Sequence, residues 1–206
     1  MDESGEIRAT AFKEQADKFY DMIQPDKVYL ITKCQLKPAN KQYSTLNNDY
    51  EMTFTNETQV EEVINDVNSV PEIKYNFIQI SHIADMEPNS FVDTLGVCRD
   101  ASDIQRFVAR TSGRELIKRE ITLVDNSNSS ISLTLWGDEA LNFDSISQPV
   151  VLLKGARISE FGGGKSLGIV GSTVMKINPD LPLVHKLRGW FDNGGAEHIT
   201  ASISSR

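Results

Sequence analysis

The stretch that decides the fold is residues 131–143, ISLTLWGDEALNF. The odd-numbered residues from Ile131 to Leu135 are apolar, and the even-numbered residues between them are polar until Trp136. Successive side chains of a β-strand point to opposite faces, so this alternation predicts a strand with one buried and one exposed face. The segment 138–143 that follows predicts a short helical break.

Short strand-like segments, separated by turn-forming residues, surround this stretch. Upstream, the candidate strands are 6–12, 27–36 and 49–55. In the second segment of the chain, they are 91–98, 104–111, 115–124, 131–137, 150–159 and 167–177. Residues 183–191 predict a short helix. A five-stranded order with a helical break after the third strand is the pattern of an OB fold, a partly open Greek-key barrel, although another small all-β barrel would show the same periodicity.

The chain also contains an internal repeat with an offset of 124 residues. Residues 8–12, RATAF, are followed by Phe19, and residues 132–136, SLTLW, are followed by Phe143. In both places a strand-final aromatic residue precedes a phenylalanine by seven positions, and an apolar strand comes next. The repeat indicates two copies of one module, of which the first begins at its third strand.

The predicted organisation is therefore all-β, with a partial and a complete OB domain. Residues 1–56 form a partial OB domain that lacks its first two strands. Residues 57–72 form an acidic linker, residues 73–192 form a complete OB domain, and residues 193–206 form a flexible C-terminal linker. A barrel without two of its five strands would expose sheet edges.

Composition excludes several protein classes. The 206 residues include no run of 18 apolar positions, and the N-terminus has no apolar core of a secretory signal. The two cysteines and three histidines are scattered, so we expect neither a disulfide framework nor a metal site. The net charge of −8 argues against a nonspecific nucleic-acid coat, yet residues 106–119 hold five basic residues and one acidic residue.

Candidate binding residues lie on the polar face of the predicted barrel. Trp136 is a large aromatic residue on that face, and Phe161 closes the next strand beside three glycines. Exposed rings stack with nucleic-acid bases regardless of sequence. The alternative is that both rings cap the end of the barrel as core residues.

Basic residues surround a predicted turn at residues 111–113. Arg110, Arg114 and Lys118 would then border a loop that OB folds use for binding. Together with Arg106 they also recur every four residues, which would form one stripe on a helix, but the β-branched and aromatic neighbours favour strands. A solvated basic turn is the simpler alternative.

No catalytic constellation is evident, so we expect no enzyme and no cofactor. Residues 164–166, GKS, match the end of a phosphate-binding loop, but Ser159 occupies the position of its first glycine. We interpret this run as a hairpin from which Lys165 could close over a ligand.

Several segments together resemble the large subunit of replication protein A. The resemblance is collinear over nearly the whole chain and rests on seven segments: IRATAF (7–12), KVYLITKCQLKPANKQY (27–43), NDYEMTFTNET (48–58), FVDTLGVC (91–98), LTLWGDEA (133–140), KGARISEFGGGKSL (154–167) and NPDLPLVHKLRGWFD (178–192). It implies tandem OB domains that bind single-stranded DNA in replication, repair and recombination.

The resemblance also assigns roles by position. It makes Trp136 and Phe161 a stacking pair. The implied backbone and base contacts of the complete domain are Arg110, Arg114, Lys118, Thr134 and Arg157, and those of the partial domain are Arg8, Phe12, Lys37, Tyr43 and Glu51.

The implied partners are single-stranded DNA and DNA repair and replication proteins in the nucleus, with no membrane. Other replication protein A subunits are expected partners of the full-length protein, though not through these residues. Two other functions stay open: an OB domain that only docks proteins, and oligosaccharide binding, against which the basic loop argues.

Overall fold

A computed structural model describes residues 1, 5–25, 27–41, 44, 46–63, 74–109 and 113–204. The chain divides into two compact units, Met1–Lys74 and Tyr75–Arg206, which we call unit 1 and unit 2. None of the described helices is both long and apolar enough to cross a membrane.

The described part of unit 1 contains five short strands and one α-helix. They are β1 Arg8–Thr10, α1 Glu14–Tyr20, β2 Tyr29–Thr32, β3 Gln35–Pro38, β4 Tyr50–Thr53 and β5 Gln59–Glu62. Strands β1, β4 and β3 form one sheet in that order, with β1 parallel to β4, and β2 pairs with β5 in a second sheet.

Among its described residues, unit 2 contains eight strands, three α-helices and a 3-10 helix. They are α2 Ile80–Ile83, β6 Phe91–Ala101, β7 Gln105–Val108, β8 Glu115–Val124, β9 Ser129–Trp136, α3 Gly137–Asn142, β10 Val150–Phe161, β11 Gly164–Gly168, β12 Val174–Ile177, α4 Pro182–Asp192, the 3-10 helix Gly195–His198 and β13 Ala201–Ser202. The expected helical break thus follows β9.

Five strands of unit 2 close into a barrel. Strand β6 pairs with β8, β8 with β9, β9 with β11, β11 with β10, and β10 again with β6. The β9–β11 pair is parallel and the other four pairs are antiparallel. Strand β7 pairs with β8 in an antiparallel hairpin, and β12 pairs antiparallel with β10. The predicted complete OB fold is confirmed.

The barrel core follows the alternation of β9. Ile131, Leu133 and Leu135 are fully buried, as are Ile158 on β10 and Leu167 on β11. Removing such side chains from water supplies about 1.5–3 kcal/mol each, which is why the apolar face of β9 turns inward. On the outside of the barrel, α4 packs with its apolar side on a separate cluster that includes Val97, Val124 and Val150.

Unit 1 repeats the second part of this barrel, strand by strand. The parallel pair β1–β4 corresponds to β9–β11, the antiparallel pair β3–β4 to β10–β11, and β2–β5 to β10–β12. Helix α1 with the buried Phe19 corresponds to α3 with the buried Phe143. Among the described residues of unit 1, no strand corresponds to β6 or β8, so unit 1 is a partial copy.

The bend of the long strand is the same in both units. Lys33 and Gly155 both have left-handed backbones, with φ of +58° and +69°. The Thr58 hydroxyl donates a hydrogen bond of 3.2 Å to the carbonyl of Lys33, and the Thr173 hydroxyl donates one of 2.9 Å to the carbonyl of Gly155. The shared bend shows which residues of the two units are equivalent. Lys33 corresponds to Gly155, and Thr58 corresponds to Thr173.

Two predicted linkers contain ordered structure. The acidic linker predicted at 57–72 begins with β5, whose partner is β2; residues 64–72 lie outside the described part. The predicted flexible tail at 193–206 contains the 3-10 helix and β13, which pairs in parallel with Ser129 and Ser130 of β9. Within the described residues of both segments, the backbone pairs with a neighbouring strand although much of the sequence is polar.

Two predicted strands are each divided into two. Residues 27–36 contain β2 and the start of β3, separated by the left-handed Lys33. Residues 167–177 contain the end of β11 and the whole of β12, separated by a turn at Gly171 and Ser172.

Candidate nucleic-acid interface

The outward face of unit 2 is a continuous sheet surface across strands β7, β8, β9, β11 and β10. Register places Lys118 beside Trp136, and it places Thr134 between Glu120 and Gly168. Gly168 in turn lies beside Arg157 on β10. The even-numbered residues of β9 therefore face outward together with the residues expected to bind, and this groups four predicted residues: Lys118, Thr134, Trp136 and Arg157.

Both predicted stacking rings are exposed. The Trp136 side chain is 41% exposed, and its ring centroid lies 6.1 Å from that of Phe107 on β7, with the planes at 68°. Phe161 is 94% exposed at the end of β10, directly opposite Gly164. The alternative that the rings are core residues therefore fails for Phe161, and the ring that Trp136 contacts, Phe107, is itself exposed.

Strands β7 and β8, on either side of the basic loop, pair as an antiparallel hairpin, so Arg106 and Lys118 lie on strands and not on one helix. The backbone amide of Ala109 donates to the carbonyl of Arg114 at 2.8 Å, and Gln105 lies opposite Lys118. Arg114 is exposed in this loop. Arg110 lies outside the described residues.

The basic side chains of the face have partners within unit 2. Lys118 Nζ lies 2.5 Å from Glu120 Oε1, and one guanidinium nitrogen of Arg157 donates to Asn89 Oδ1 at 2.5 Å. The side chain of Glu120 is 48% exposed. An exposed ion pair of this kind is worth little, so a phosphate could replace the carboxylate at small cost.

Lys165 lies elsewhere than predicted. Its ammonium group donates hydrogen bonds to the carbonyls of Ala84, at 2.5 Å, and Met86, just after α2. Lys165 has the same parity on β11 as the buried Leu167, whereas Ser166 and Gly168 face outward, so its side chain leaves the sheet on the opposite side. The structure does not bring Lys165 together with the outward face.

Arg119 also points away from that face. It donates to the carbonyls of Ser102 and Phe143 and to the hydroxyl of Ser145, at 2.8–2.9 Å. These bonds connect the barrel to the residues around α3.

In unit 1, three charged residues form a row across the sheet. Glu51 on β4 lies between Arg8 on β1 and Lys37 on β3, and Lys37 Nζ is 3.2 Å from Glu51 Oε1. Glu51 is only 8% exposed. Phe12 follows β1 as Trp136 ends β9, and it is exposed. Tyr43 lies outside the described residues.

The role of Phe107, whose ring contacts Trp136, was not predicted from the sequence. Strand β7 has four residues, all exposed, so it shows no alternation of burial that would have indicated which side chains face the binding surface. As for metal ligands, no group of three or more His, Cys, Asp or Glu side chains within the described residues is placed to hold an ion.

Comparisons with known proteins match the whole chain. The family model described as replication protein A OB domain matches residues 80–178, and a domain of unknown function, DUF223, matches residues 1–86. The replication protein A 70 kDa DNA-binding subunit of Drosophila melanogaster is 63% identical over 100% of this chain and 34% of its own length. That of Gallus gallus is 48% identical over 99% of this chain and 33% of its own length.

A solved structure gives the same result. A replication protein A heterotrimer bound to single-stranded DNA contains a chain that is 41% identical, with a TM-score of 0.77, over 99% of this chain and 48% of that one. The chain spans about a third of the length of the curated relatives that it matches.

Proposed function

We propose that this chain, which belongs to the replication protein A family, binds single-stranded DNA with little sequence preference along the outward faces of its two units. Bases stack on aromatic rings, and basic side chains attract the phosphates. We further propose that the chain is not an enzyme and works without a cofactor, since the relatives are described as DNA-binding subunits.

The observation that supports this proposal is the placement of two exposed rings on one sheet surface. Trp136 lies two residues beyond the Thr134–Gly168 pair, whereas Phe161 lies opposite Gly164 at the other end of β11. About six residues of strand therefore separate the rings, roughly 20 Å along the strand direction. Two different bases of one strand would stack on them.

The basic residues between the rings supply the electrostatic attraction. Lys118 and Arg157 belong to opposite margins of the face, and Arg114 extends the first margin into the loop. Affinity for a phosphate backbone depends on such local contacts and not on the net charge of −8.

The cellular role follows the family. We propose that the chain serves DNA replication, repair and recombination in the nucleus, and that other replication protein A subunits and repair and replication proteins are partners of the full-length protein. A pure protein-docking role is not favoured, because the relatives that match the whole chain are described as DNA-binding subunits.

The test is a titration of a fluorescent oligothymidine, followed by anisotropy at several salt concentrations. Trp136→Ala should weaken binding by roughly 1–3 kcal/mol, because one base loses its stacking partner. Lys118→Ala should lower the slope of log affinity against log salt by roughly 0.7, because one phosphate contact is lost.

Leu183→Ala is the matched control, since Leu183 is an exposed apolar residue on α4, outside the proposed face, and its removal should leave the affinity unchanged. If the parent chain fails to bind at low salt, or if Trp136→Ala binds as tightly as the parent, the proposal is wrong.

A further inference from the structure

The barrel of unit 2 has one short seam, where β9 and β11 pair over only three residues each. Strands β9 and β11 pair directly only where Ser166, Leu167 and Gly168 meet Ser132, Leu133 and Thr134. Beyond that point, residues 200–204 lie between the two strands. We call these residues the C-terminal strap.

The strap bonds to both strands through its backbone. The amide of Ile203 donates to the carbonyl of Ser130 on β9 at 2.9 Å, and the amide of Lys165 on β11 donates to the carbonyl of Ile203 at 2.9 Å. The Ile203 side chain packs on the barrel core. The strap thus continues the connection between β9 and β11 beyond their three directly paired residues.

One hydroxyl makes the same connection from a side chain. Ser204 Oγ accepts a hydrogen bond of 2.8 Å from the amide of Ser132 and donates one of 2.6 Å to the carbonyl of Lys165. The hydroxyl therefore acts as both acceptor and donor. Its two bonds connect the beginning of β11, at Lys165, to Ser132 on β9.

Gly164 allows this close approach. A Cβ atom at position 164 would lie 2.5 Å from the carbonyl oxygen of Ser204 and 2.8 Å from its carbonyl carbon, both of which are backbone atoms. Only glycine leaves room for the strap here. Gly164 is the residue directly opposite Phe161 in the hairpin.

Phe161 depends on this hairpin for its position. Its side chain is 94% exposed, so the ring has little packing of its own, and the two residues that follow, Gly162 and Gly163, have φ of +61° and +83°. Such a two-glycine turn is compatible with many conformations. What holds the ring in place is therefore the backbone of the hairpin, and the strap fixes the strand opposite it.

We infer that the C-terminal strap positions Phe161 for DNA, with Ser204 and Gly164 as positioning residues that touch neither base nor phosphate themselves. This inference rests on the proposed function. The C-terminal strap lies within residues 193–206, which were predicted from the sequence to be a flexible linker. The inference gives it a role in positioning a residue of the binding face.

The experiment is a double-mutant cycle on oligothymidine affinity. Gly164→Ala should weaken binding about fivefold in the parent chain, because the strap is displaced and the ring loses its place. In a Phe161→Ala background, Gly164→Ala should weaken oligothymidine binding less than about twofold, because there is no ring left to position. The salt slope should stay the same, since no phosphate contact is removed.

Two further variants make the result specific. Ser204→Ala removes only the bridging hydroxyl and should show the same coupling to Phe161 at smaller size, and Ser204→Thr, which keeps the hydroxyl, should restore the affinity. Gly171→Ala is the control, because a Cβ there meets no atom within 4 Å. If Gly164→Ala proves unstable in a thermal melt, the cycle is carried out with Ser204→Ala.

The outcomes separate this inference from the proposed function. If Gly164→Ala lowers the affinity equally in the parent and Phe161→Ala backgrounds, or in neither, the positioning role is overturned. The stacking proposal is still tested separately by comparing the parent chain with Trp136→Ala. A parent chain that does not bind oligothymidine at all overturns the proposed function itself.

Discussion

The two units carry the same strands in the same register, yet equivalent positions have very different surroundings. Ile158 pairs with Leu167 on β11 and Leu36 pairs with Met52 on β4, which are equivalent positions, but Ile158 is fully buried and Leu36 is 61% exposed. Leu133 on β9 is fully buried, whereas its counterpart Ala9 on β1 is exposed. Burial here comes from the strands that close the barrel, not from the strands that the units share.

The outward faces differ as well. Where unit 1 has the charged row Arg8, Glu51 and Lys37, unit 2 has the corresponding residues Ser132, Ser166 and Ser159. Charged side chains and hydroxyls occupy the same three strands at the same register. The comparison indicates that the shared framework fixes where a side chain points and leaves its chemistry free to vary.

The largest expected effect tests the role of barrel closure. Ile158→Ala should destabilise unit 2 by about 2–5 kcal/mol, because it leaves a cavity in a closed core. Leu36→Ala at the equivalent position should change stability by less than about 0.5 kcal/mol, because the side chain is mostly in water. Urea unfolding followed by tryptophan fluorescence reports unit 2, which contains both tryptophans, and circular dichroism reports the whole chain. Equal losses for the two variants would contradict the comparison.

A second, smaller effect distinguishes the two cysteines, one in each unit. Burial raises the pKa of the Cys98 thiol from 9.0 to about 11, with Arg119 lowering it and Asp100 raising it. The folded unit 2 therefore keeps a proton that the unfolded chain releases. The contribution of the Cys98 thiol to the free energy of unfolding is fully present below pH 9 and is lost between pH 9 and pH 11. At pH 10 the loss is roughly 1 kcal/mol.

The pH dependence can be measured by urea unfolding at pH 8 and pH 10. Cys98→Ala should reduce the difference between the two pH values, because it removes the group that titrates. A thiol reagent at pH 8 should modify the half-exposed Cys34 and spare Cys98 until urea unfolds unit 2. Rapid reaction of both thiols in the folded chain would show that Cys98 is not enclosed.

The smallest expected effect concerns the outward faces. Glu51→Gln removes a carboxylate beside Lys37, so DNA binding should become about threefold tighter, and the salt slope should increase by roughly 0.7 as Lys37 becomes available to a phosphate. Ser166→Asp places a carboxylate at the equivalent position of unit 2 and should weaken binding by a similar factor. Both are measured with the same labelled oligothymidine.

Glu62→Gln is the control for this pair of variants. Glu62 forms an ion pair of 3.0 Å with Lys27, on β5 and outside the three-stranded sheet of unit 1. Its loss should leave DNA affinity unchanged. If Glu62→Gln tightens binding as much as Glu51→Gln does, the effect reflects total charge and not the charged row.

Much of the fold could be predicted from the sequence, because alternation along β9 is strong. The burial of Leu133 and the exposure of Trp136 both followed from it, and the repeat of RATAF and SLTLW correctly indicated a partial copy. The turn at Gly171 was missed because β-branched residues on both sides continue a strand-like pattern across it.

The candidate site was predictable where strands are long and uncertain near turns. Lys165 was misplaced because a shift of one residue reverses the face of a strand, and three successive glycines conceal where β11 begins. The C-terminal strap escaped notice because β13 has only two residues and no periodicity. Its position depends on Ser130 and Lys165, which lie far away in sequence.

The short sheet of unit 1 has a consequence for solubility. Within the described residues, β1 and β3 are the outer strands of that sheet, so one side of each offers backbone groups to any other extended chain. Exposed Leu36 and Tyr50 lie on the same sheet. The excess of negative charge keeps separate molecules apart. Near the isoelectric point of about 4.9 that repulsion vanishes, so we expect self-association through these edges to be strongest there.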